Sequence, residues 1–534
     1  VSDSIACARA VVGQMLAQGV TDLVLAPGSR SAPLALVADA AARAGMLRLH
    51  VRVDERVAGF LALGLAKASG RCVPVVTTSG TAVGNLLPAV MEAHHSGVPL
   101  LVVSADRPAA LVGSGANQTT EQVDLFSGFV RHRARLSSTA PPASWDAQIA
   151  RAVLAAEGRL SGHPGPAQVN IEFSPPLVPA AGPVAPPVVG AAVRTSVRPA
   201  PEPFALAGTP RTLVVCGDAP PPVGAAARRF AEEAGLPLVA EPSSNARSGP
   251  NALARGRELL AGPLAGQVER VVVFGRPNLS RPVTALLSRP DVELVVVTDS
   301  PDYVDPGWRT RLVAGAAVAE AGAADWLAAW RAADAEASAD VPAADGAGVL
   351  TGRELARLVV AAVPSDQNLF LGNSNVIRDA DLAELRPDPG PVYANRGLSG
   401  IDGTVSSATG VALATGVPTT LLCGDLTFTH DLGALVIGPG EPRPALRVVV
   451  ADDRGGSIFA TLEYGQERFA DAFERVFATP TGVDLAAVAG AVGVPARRVS
   501  TASEVAAALA EPVTGLEVLV VDIDRSGRVA PRPS

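Results

Sequence analysis

Thr419-Thr420-Leu421-Leu422-Cys423-Gly424-Asp425, followed by Leu446-Arg447-Val448-Val449-Val450-Ala451-Asp452-Asp453-Arg454-Gly455-Gly456, is the stretch whose reading decides the fold. Thr419–Cys423 is apolar and β-prone, which predicts a strand with Asp425 where the strand ends and a loop begins. A second predicted strand, Leu446–Val450, runs straight into Asp453, 28 positions after Asp425. Two parallel strands would bring two hard oxygen ligands to one sheet edge, beside a glycine pair with accessible backbone. Mg²⁺ takes few carboxylates and keeps positions open for phosphates, so the edge reads as a cation and diphosphate site. Gly-Asp after a strand is common turn chemistry. The pairing with Gly455-Gly456 at this spacing, followed by Ser457-Ile458-Phe459, is what makes the pattern specific.

Outward from this edge the same alternation of strand and helix recurs. The first 110 residues predict a helix over Ser4–Gln18, strand Asp22–Leu25, a Pro27-Gly28 loop and another helix. Strand Leu47–Val53, helix Glu55–Ala68, strand Val73–Thr77, helix Thr81–His95 and strand Leu100–Ser104 follow. Such alternation predicts a parallel, doubly wound sheet. Pro175–Pro203 reads as an exposed linker. A second set runs through Thr212–Cys216, Val271–Phe274 and Leu294–Thr298. The Ala/Asp-rich segment Ala332–Gly348 separates it from a third, through Asn368–Leu371, Thr419–Cys423, Leu446–Val450 and Val518–Val521. The expectation is an α/β protein of three doubly wound parallel-sheet domains at 1–180, 204–335 and 336–534, with a linker over 181–203. Chemistry is expected in the first and third; the middle one lacks a nucleotide fingerprint.

Composition narrows the function. At 534 residues, 48% hydrophobic and only 4% aromatic, the chain fits an α/β protein with large cores. No apolar run is long enough for a bilayer and the N-terminus lacks a signal pattern, so a cytoplasmic protein is expected. The net charge of −8 argues against a general nucleic-acid or anionic-membrane binder. Cys7, Cys72, Cys216 and Cys423 are scattered in apolar contexts and read as small buried hydrophobes. Lys67 is the only lysine, so arginine abundance alone carries no functional weight.

Glu55 ends the Val51–Arg56 strand and opens a helix of small residues, where a carboxylate can meet a ligand docked on the sheet edge. Taken alone it would read as a helix N-cap acid favoured by the dipole; beside the cation pattern it reads as catalytic. Arg30, Arg107, Arg378 and Arg396 all lie in predicted loops at strand ends, where guanidinium forks can grip carboxylates bidentately. Isolated arginines such as Arg131 and Arg133 read as surface ion pairs. His94 and His95 read as capping or interface residues, and His430 and Asp431 as structural.

Over nearly its whole length the sequence resembles the 2-succinyl-5-enolpyruvyl-6-hydroxy-3-cyclohexene-1-carboxylate (SEPHCHC) synthase family of menaquinone biosynthesis, within the thiamine diphosphate enzymes. The matching motifs are Pro27–Ser31, Asp54-Glu55-Arg56, Thr78–Ala82, Ser104–Pro108, Gly115–Thr119, Gly372-Asn373-Ser374, Asn395-Arg396-Gly397, Gly400–Thr404, Gly424–Thr427 and Gly455–Phe459. The middle region matches loosely, around Gly275-Arg276 to Arg281-Pro282.

The resemblance implies a transferase that decarboxylates 2-oxoglutarate and adds the resulting succinyl unit to isochorismate by conjugate addition. It implies Glu55 as the residue that activates thiamine diphosphate through its aminopyrimidine ring. Asp425, Asp453 and Gly455 would hold Mg²⁺ (or Mn²⁺), with Asn373, Ser374, Gly424 and Leu426 about the diphosphate. Ile401 would prop the cofactor into its bent form, and Ile458, Phe459 and Leu462 would wall its thiazolium ring. Arg30, Arg107, Asn117 and Gln118 would face isochorismate, with Arg281 a further contact. Ser374 and Arg378 would hold the 2-oxoglutarate-derived carboxylate, and Arg396 would be shared. A homodimer or homotetramer with active sites between subunits is also implied. The chain departs from thiamine enzymes generally in carrying Asp453 and Arg454 where Asn is usual; Arg454 is a candidate counter-charge for the added carboxylate. Rival readings are another thiamine diphosphate decarboxylase or carboligase of the acetolactate-synthase kind, and a non-catalytic binding protein that kept the fold.

Overall fold

The computed structural model describes residues 4–196, 199–208, 210–339 and 349–525. Parts of both predicted connecting segments, 197–198 and 340–348, lie outside the described residues. By compactness the chain divides into two units, one of Val1–Arg198, Gly397–Gly416 and His430–Pro444, the other of Pro199–Arg396, Val417–Thr429 and Ala445–Ser534.

The first unit is built on a six-stranded sheet in the order Arg48–Val51, Asp22–Leu25, Val73–Thr77, Leu100–Asp106, Ala167–Glu172, His132–Ser137. Every pairing is parallel. A parallel sheet needs both faces covered, which is why Asp22–Leu25 and Val73–Thr77 are buried along their whole length. One face packs on Ser4–Ala17, Ala32–Arg43 and Pro142–Ala156, the other on Glu55–Ser69 and Leu87–Ser96. The helix expected over Thr81–His95 is broken into Thr81–Gly84 and Leu87–Ser96, with Pro88 in the first turn of the second piece. Proline cannot donate to the turn before it, so the chain restarts there. The proline-rich stretch after the sheet is not free throughout. It runs along Ser4–Ala17, where Arg9 Nη2 donates to Pro186 O and a Cβ on Gly13 would lie 2.4 Å from Val188 O.

Thr404–Thr415 completes this unit by crossing Glu55–Ser69 at backbone distance. A Cβ on Gly64 would sit 2.1 Å from Ser407 O, and one on Gly410 2.4 Å from Leu61 O. Ser407 Oγ also donates to Phe60 O at 3.2 Å.

The second unit carries two larger sheets. Five parallel strands run Thr310–Ala314, Glu293–Val297, Arg270–Phe274, Thr212–Cys216, Leu238–Ala240. A seven-stranded parallel sheet runs Leu350–Thr351, Leu516–Asp524, Leu446–Asp452, Thr419–Gly424, Asn368–Leu371, Val392–Tyr393, with Ala496–Val499 also paired to Leu516–Asp524. Each larger sheet thus draws all its strands from one of the stretches 1–180, 204–335 and 336–534. Among the described residues no helix is long and apolar enough to cross a membrane.

Candidate active site

In the second unit, Gly424 pairs with Ala451, so the strands Thr419–Gly424 and Leu446–Asp452 end side by side at the carboxyl edge of the sheet. Asp425 does not enter a loop, as the sequence suggested. It opens the short helix Asp425–His430. Its carboxylate accepts from Leu426 N at 2.7 Å and from the Gly455 backbone N–H. Asp453 faces it, accepting from Ser457 Oγ, which in turn accepts from Asn375 Nδ2 at 2.7 Å. Burial, reinforced by the charge of Asp453, pushes the Asp425 carboxyl up to about 7. Two buried acids that disfavour each other's charge are relieved by a cation between them.

Gly455 adopts φ 135° and a Cβ there would lie 2.3 Å from Ala478 O, so a side chain has no room at this turn. Two carboxylates and a backbone carbonyl suit a hard divalent cation that keeps positions for phosphate oxygens. Among the described residues no group of three or more His, Cys, Asp or Glu side chains gathers for a metal. Arg454 stands at φ 59° with an exposed side chain, and its backbone N–H donates to Asp452.

Two arginines converge nearby in the sequence of the same unit. Arg396 is buried at 2% exposure; Nη1 donates to Asn373 Oδ1 at 2.8 Å and Nη2 to Asn278 Oδ1 at 2.6 Å. Arg378 lies in the helix Asn375–Ala380, not in a loop, and its Nη1 donates to Ser374 O at 2.6 Å. Burial and then the Arg396 charge hold the Arg378 guanidinium below its ordinary pKa. Ser374 sits at φ 74°, a conformation costly for a residue with a side chain and typical of a functional turn. Ile458 and Phe459 lie in the 3₁₀ turn Ser457–Thr461, half-buried, with Phe459 tilted on Phe477. Arg281 is exposed and pairs with Glu463 at 3.5 Å, an ordinary surface contact. A cavity of about 280 Å³ in this unit, lined in part by Arg228, Arg247, Leu371 and Glu384, contains none of the sequence-predicted site residues.

In the first unit, Asp54 rather than Glu55 caps the helix Glu55–Ser69, accepting from Arg56 N and Val57 N. Glu55 is thereby released from capping; among the described residues its carboxylate meets the weak Asn85 Nδ2 contact at 3.4 Å. Glu92, buried at 4%, accepts from Gly397 N and Leu398 N, each at 2.7 Å, and so fixes the loop that carries Ile401. Gly403 at φ 56° lies against Phe60, where a Cβ could not fit.

Arg107 leaves the end of Leu100–Asp106 and its Nη1 donates to Ser79 Oγ at 2.8 Å and Gln118 O at 2.7 Å. Arg30 Nη1 donates to Phe173 O at 3.0 Å. Burial first, then the Arg107 charge, lowers the Arg30 pKa, so the two guanidinium groups share one region. Gln118 stands at φ 54° with Nε2 on Ser79 O, and Asn117 beside it is exposed.

Behind them lies a buried amide network that the sequence reading missed. Asn170 Oδ1 accepts from Ser104 Oγ at 2.8 Å and Gln122 Nε2 at 2.7 Å, and Asn170 Nδ2 donates to Asp106 Oδ2 at 2.8 Å. Asp106 accepts from the Arg107 backbone N–H, and Gln122 Oε1 from Gly80 N. The signal available was polar Gln168 and Asn170 alternating inside an apolar strand, since buried amides require partners.

Comparison with known proteins agrees with this geometry. Residues 5–126 match the family model "Thiamine pyrophosphate enzyme, N-terminal TPP binding domain", and 379–523 match its C-terminal TPP binding domain counterpart. The chain is 50% identical over 546 residues to a 2-succinyl-5-enolpyruvyl-6-hydroxy-3-cyclohexene-1-carboxylate synthase of Kineococcus radiotolerans, covering 99% of this chain and 97% of the relative. Relatives of the same name from Paenarthrobacter aurescens and a Nocardioides species are 48% and 47% identical, covering 98% of this chain and 95% and 96% of theirs.

Proposed function

The chain belongs to the SEPHCHC synthase family of thiamine diphosphate enzymes, and on that footing we propose that it decarboxylates 2-oxoglutarate and joins the remaining four-carbon unit to isochorismate. The observation that carries this reading is the buried Arg396, whose guanidinium hydrogen bonds among the described residues go to neutral amide oxygens, with a second guanidinium, Arg378, close enough to repel it. Two guanidinium groups close enough to repel each other suit a carboxylate that stays bound after CO₂ leaves. A decarboxylase or carboligase of smaller, uncharged-tail substrates would leave that charge unmatched. A non-catalytic binding protein would have no use for Glu55 free of its cap.

Thiamine diphosphate, when bound, supplies the nucleophilic carbon and the electron sink of the reaction. Asp425, Asp453 and the Gly455 carbonyl would hold Mg²⁺ or Mn²⁺, with Gly424, Leu426 and Asn373 about the diphosphate. Glu55 would hold the proton exchanged with the aminopyrimidine ring. Ile401, Ile458 and Phe459 would shape an apolar wall that keeps water from the reacting carbon. Ser374, Arg378 and Arg396 would orient the 2-oxo acid by its distal carboxylate. Arg30, Arg107, Asn117 and Gln118, supported by the amide network behind them, would orient isochorismate, with Arg281 at its margin. Orientation of two anionic partners is the main contribution this protein can make to the rate. The reading calls for a cytoplasmic homodimer or homotetramer with each cofactor held between subunits.

The test is isochorismate consumption followed by absorbance, omitting thiamine diphosphate, Mg²⁺ and 2-oxoglutarate in turn. Loss that needs all three supports the synthase. CO₂ release from 2-oxoglutarate with isochorismate untouched would overturn the acceptor assignment and the roles of Arg30 and Arg107.

A further inference from the structure

The five-stranded sheet of the second unit lacks a nucleotide fingerprint, yet two of its loops grip the segment that ends in Arg396. After Leu238–Ala240 the chain turns through Asn245 at φ 56°. Asn245 Nδ2 donates to Val392 O and Asn245 Oδ1 accepts from Val392 N, each at 2.9 Å. An asparagine thus stands in for a neighbouring strand along Val392–Tyr393. After Arg270–Phe274 the chain turns through Asn278, which repeats the device on Arg396. Its Nδ2 donates to Arg396 O at 2.9 Å and its Oδ1 accepts from Arg396 Nη2 at 2.6 Å.

The Asn278 loop is itself immobilised. Glu241, buried at 4%, accepts from Leu279 N at 2.8 Å and from the Asn278 backbone N–H. A Cβ on Gly217 would fall 1.9 Å from Pro277 N, so this turn lies directly against the backbone of the adjacent strand's loop. Arg396 Nε has no partner among the described residues. The charged groups that act on this region are Arg378, which repels Arg396; Arg257, Asp381 and Glu241, which act on Arg378; and Arg396 itself, which acts on Glu241. Burial pushes the Glu241 carboxyl up to about 8, which favours its neutral form beside the guanidinium.

We propose that Asn278 is a positioning residue for the 2-oxo acid: it fixes the Arg396 fork through a neutral acceptor, which orients the guanidinium while leaving its positive charge for the substrate carboxylate. A carboxylate at position 278 would orient Arg396 equally well but would neutralise it. The choice of an amide therefore makes physical sense only if the charge is needed elsewhere. The sheet with no fingerprint of its own thereby acquires a function as the template on which the arginine is held. This rests on the reading of Arg396 as a substrate ligand given above.

The experiment is steady-state kinetics of the holoenzyme with each substrate varied separately, for Arg396→Ala, Asn278→Ala and the isosteric Asn278→Asp. Melting temperatures are recorded alongside. Asn278→Ala is expected to raise KM for 2-oxoglutarate roughly 10-fold, as one charged-group hydrogen bond is lost, while KM for isochorismate stays within about 2-fold. Asn278→Asp is expected to raise the 2-oxoglutarate KM at least as much at an unchanged melting temperature. If Asn278→Ala does not fold, the Asp variant decides alone. A rise in both KM values together, or an Asp variant with unaltered 2-oxoglutarate KM, overturns the positioning role. An Arg396→Ala variant with unaltered 2-oxoglutarate KM overturns instead the substrate assignment on which it rests.

Discussion

Replacing Glu241 by Gln isolates a single proton whose energetic effect the structure specifies. Glu241 is fully enclosed, and burial raises its carboxyl from the ordinary 4.5 to about 8, against the opposing pull of two backbone N–H donors and of Arg396. Its folded-state pKa lies above the unfolded one. The stabilisation it contributes is therefore fully present below pH 4.5 and is lost as pH rises through about 8. At about 1.4 kcal/mol for each tenfold change in proton affinity, the loss between pH 6 and 8 is on the order of 3 kcal/mol. Glutamine keeps an oxygen for Leu279 N and has no charge to lose. In a thermal melt, the variant's advantage over wild type should grow from near zero at pH 5 to several degrees at pH 8.5, taking roughly 2 °C per kcal/mol. Parallel melting curves across that range would refute the reasoning, because they would mean that Glu241 exchanges no proton there.

Glu55→Gln should keep its fold by circular dichroism and its cofactor binding by equilibrium dialysis, while isochorismate turnover falls roughly 10²–10⁴-fold. Because burial and Asp453 hold Asp425 up to about 7, Mg²⁺ must displace a proton there, and Mg²⁺ affinity measured calorimetrically should rise between pH 6 and 8. Asp453→Asn should flatten that dependence. Gly64→Ala places a Cβ 2.1 Å from Ser407 O and should lower stability by about 1–3 kcal/mol, read as an earlier midpoint in urea.

The parts of this molecule that were legible in the sequence are those whose signal is local. The strand ending at Gly424, the strand ending at Asp452 and their fixed separation place two acids at one edge whatever the rest of the chain does. The Asp54-Glu55 pair was legible as a helix start, although which acid caps could be settled only by the geometry at Arg56 and Val57. Arg378 was misplaced into a loop because a helix of six residues is too short to show a periodicity. Asn278 and Asn245 carried no local mark at all, and Asn170 only its place as a polar residue inside an apolar strand. The partners described above lie 118, 147 and 48–66 positions away, and an asparagine destined for such a clamp looks the same in sequence as one in a turn.

The crossing of Glu55–Ser69 by Thr404–Thr415 bears on how the chain can be made. Phe60, Leu61, Leu63 and Leu65 are buried in the finished molecule, and Leu413 and Ala414 are among the residues packed against that core. The N-terminal sheet is complete in sequence by Glu172, but the helix that covers this flank is synthesised more than 200 residues later. At typical elongation rates that is an interval on the order of 10–40 s, during which a nascent chain carries an uncovered apolar helix with a bare glycine notch at Gly64. Ribosome-associated chaperones would have their natural target there, and a truncated product ending near Arg198 would inherit the same exposed flank.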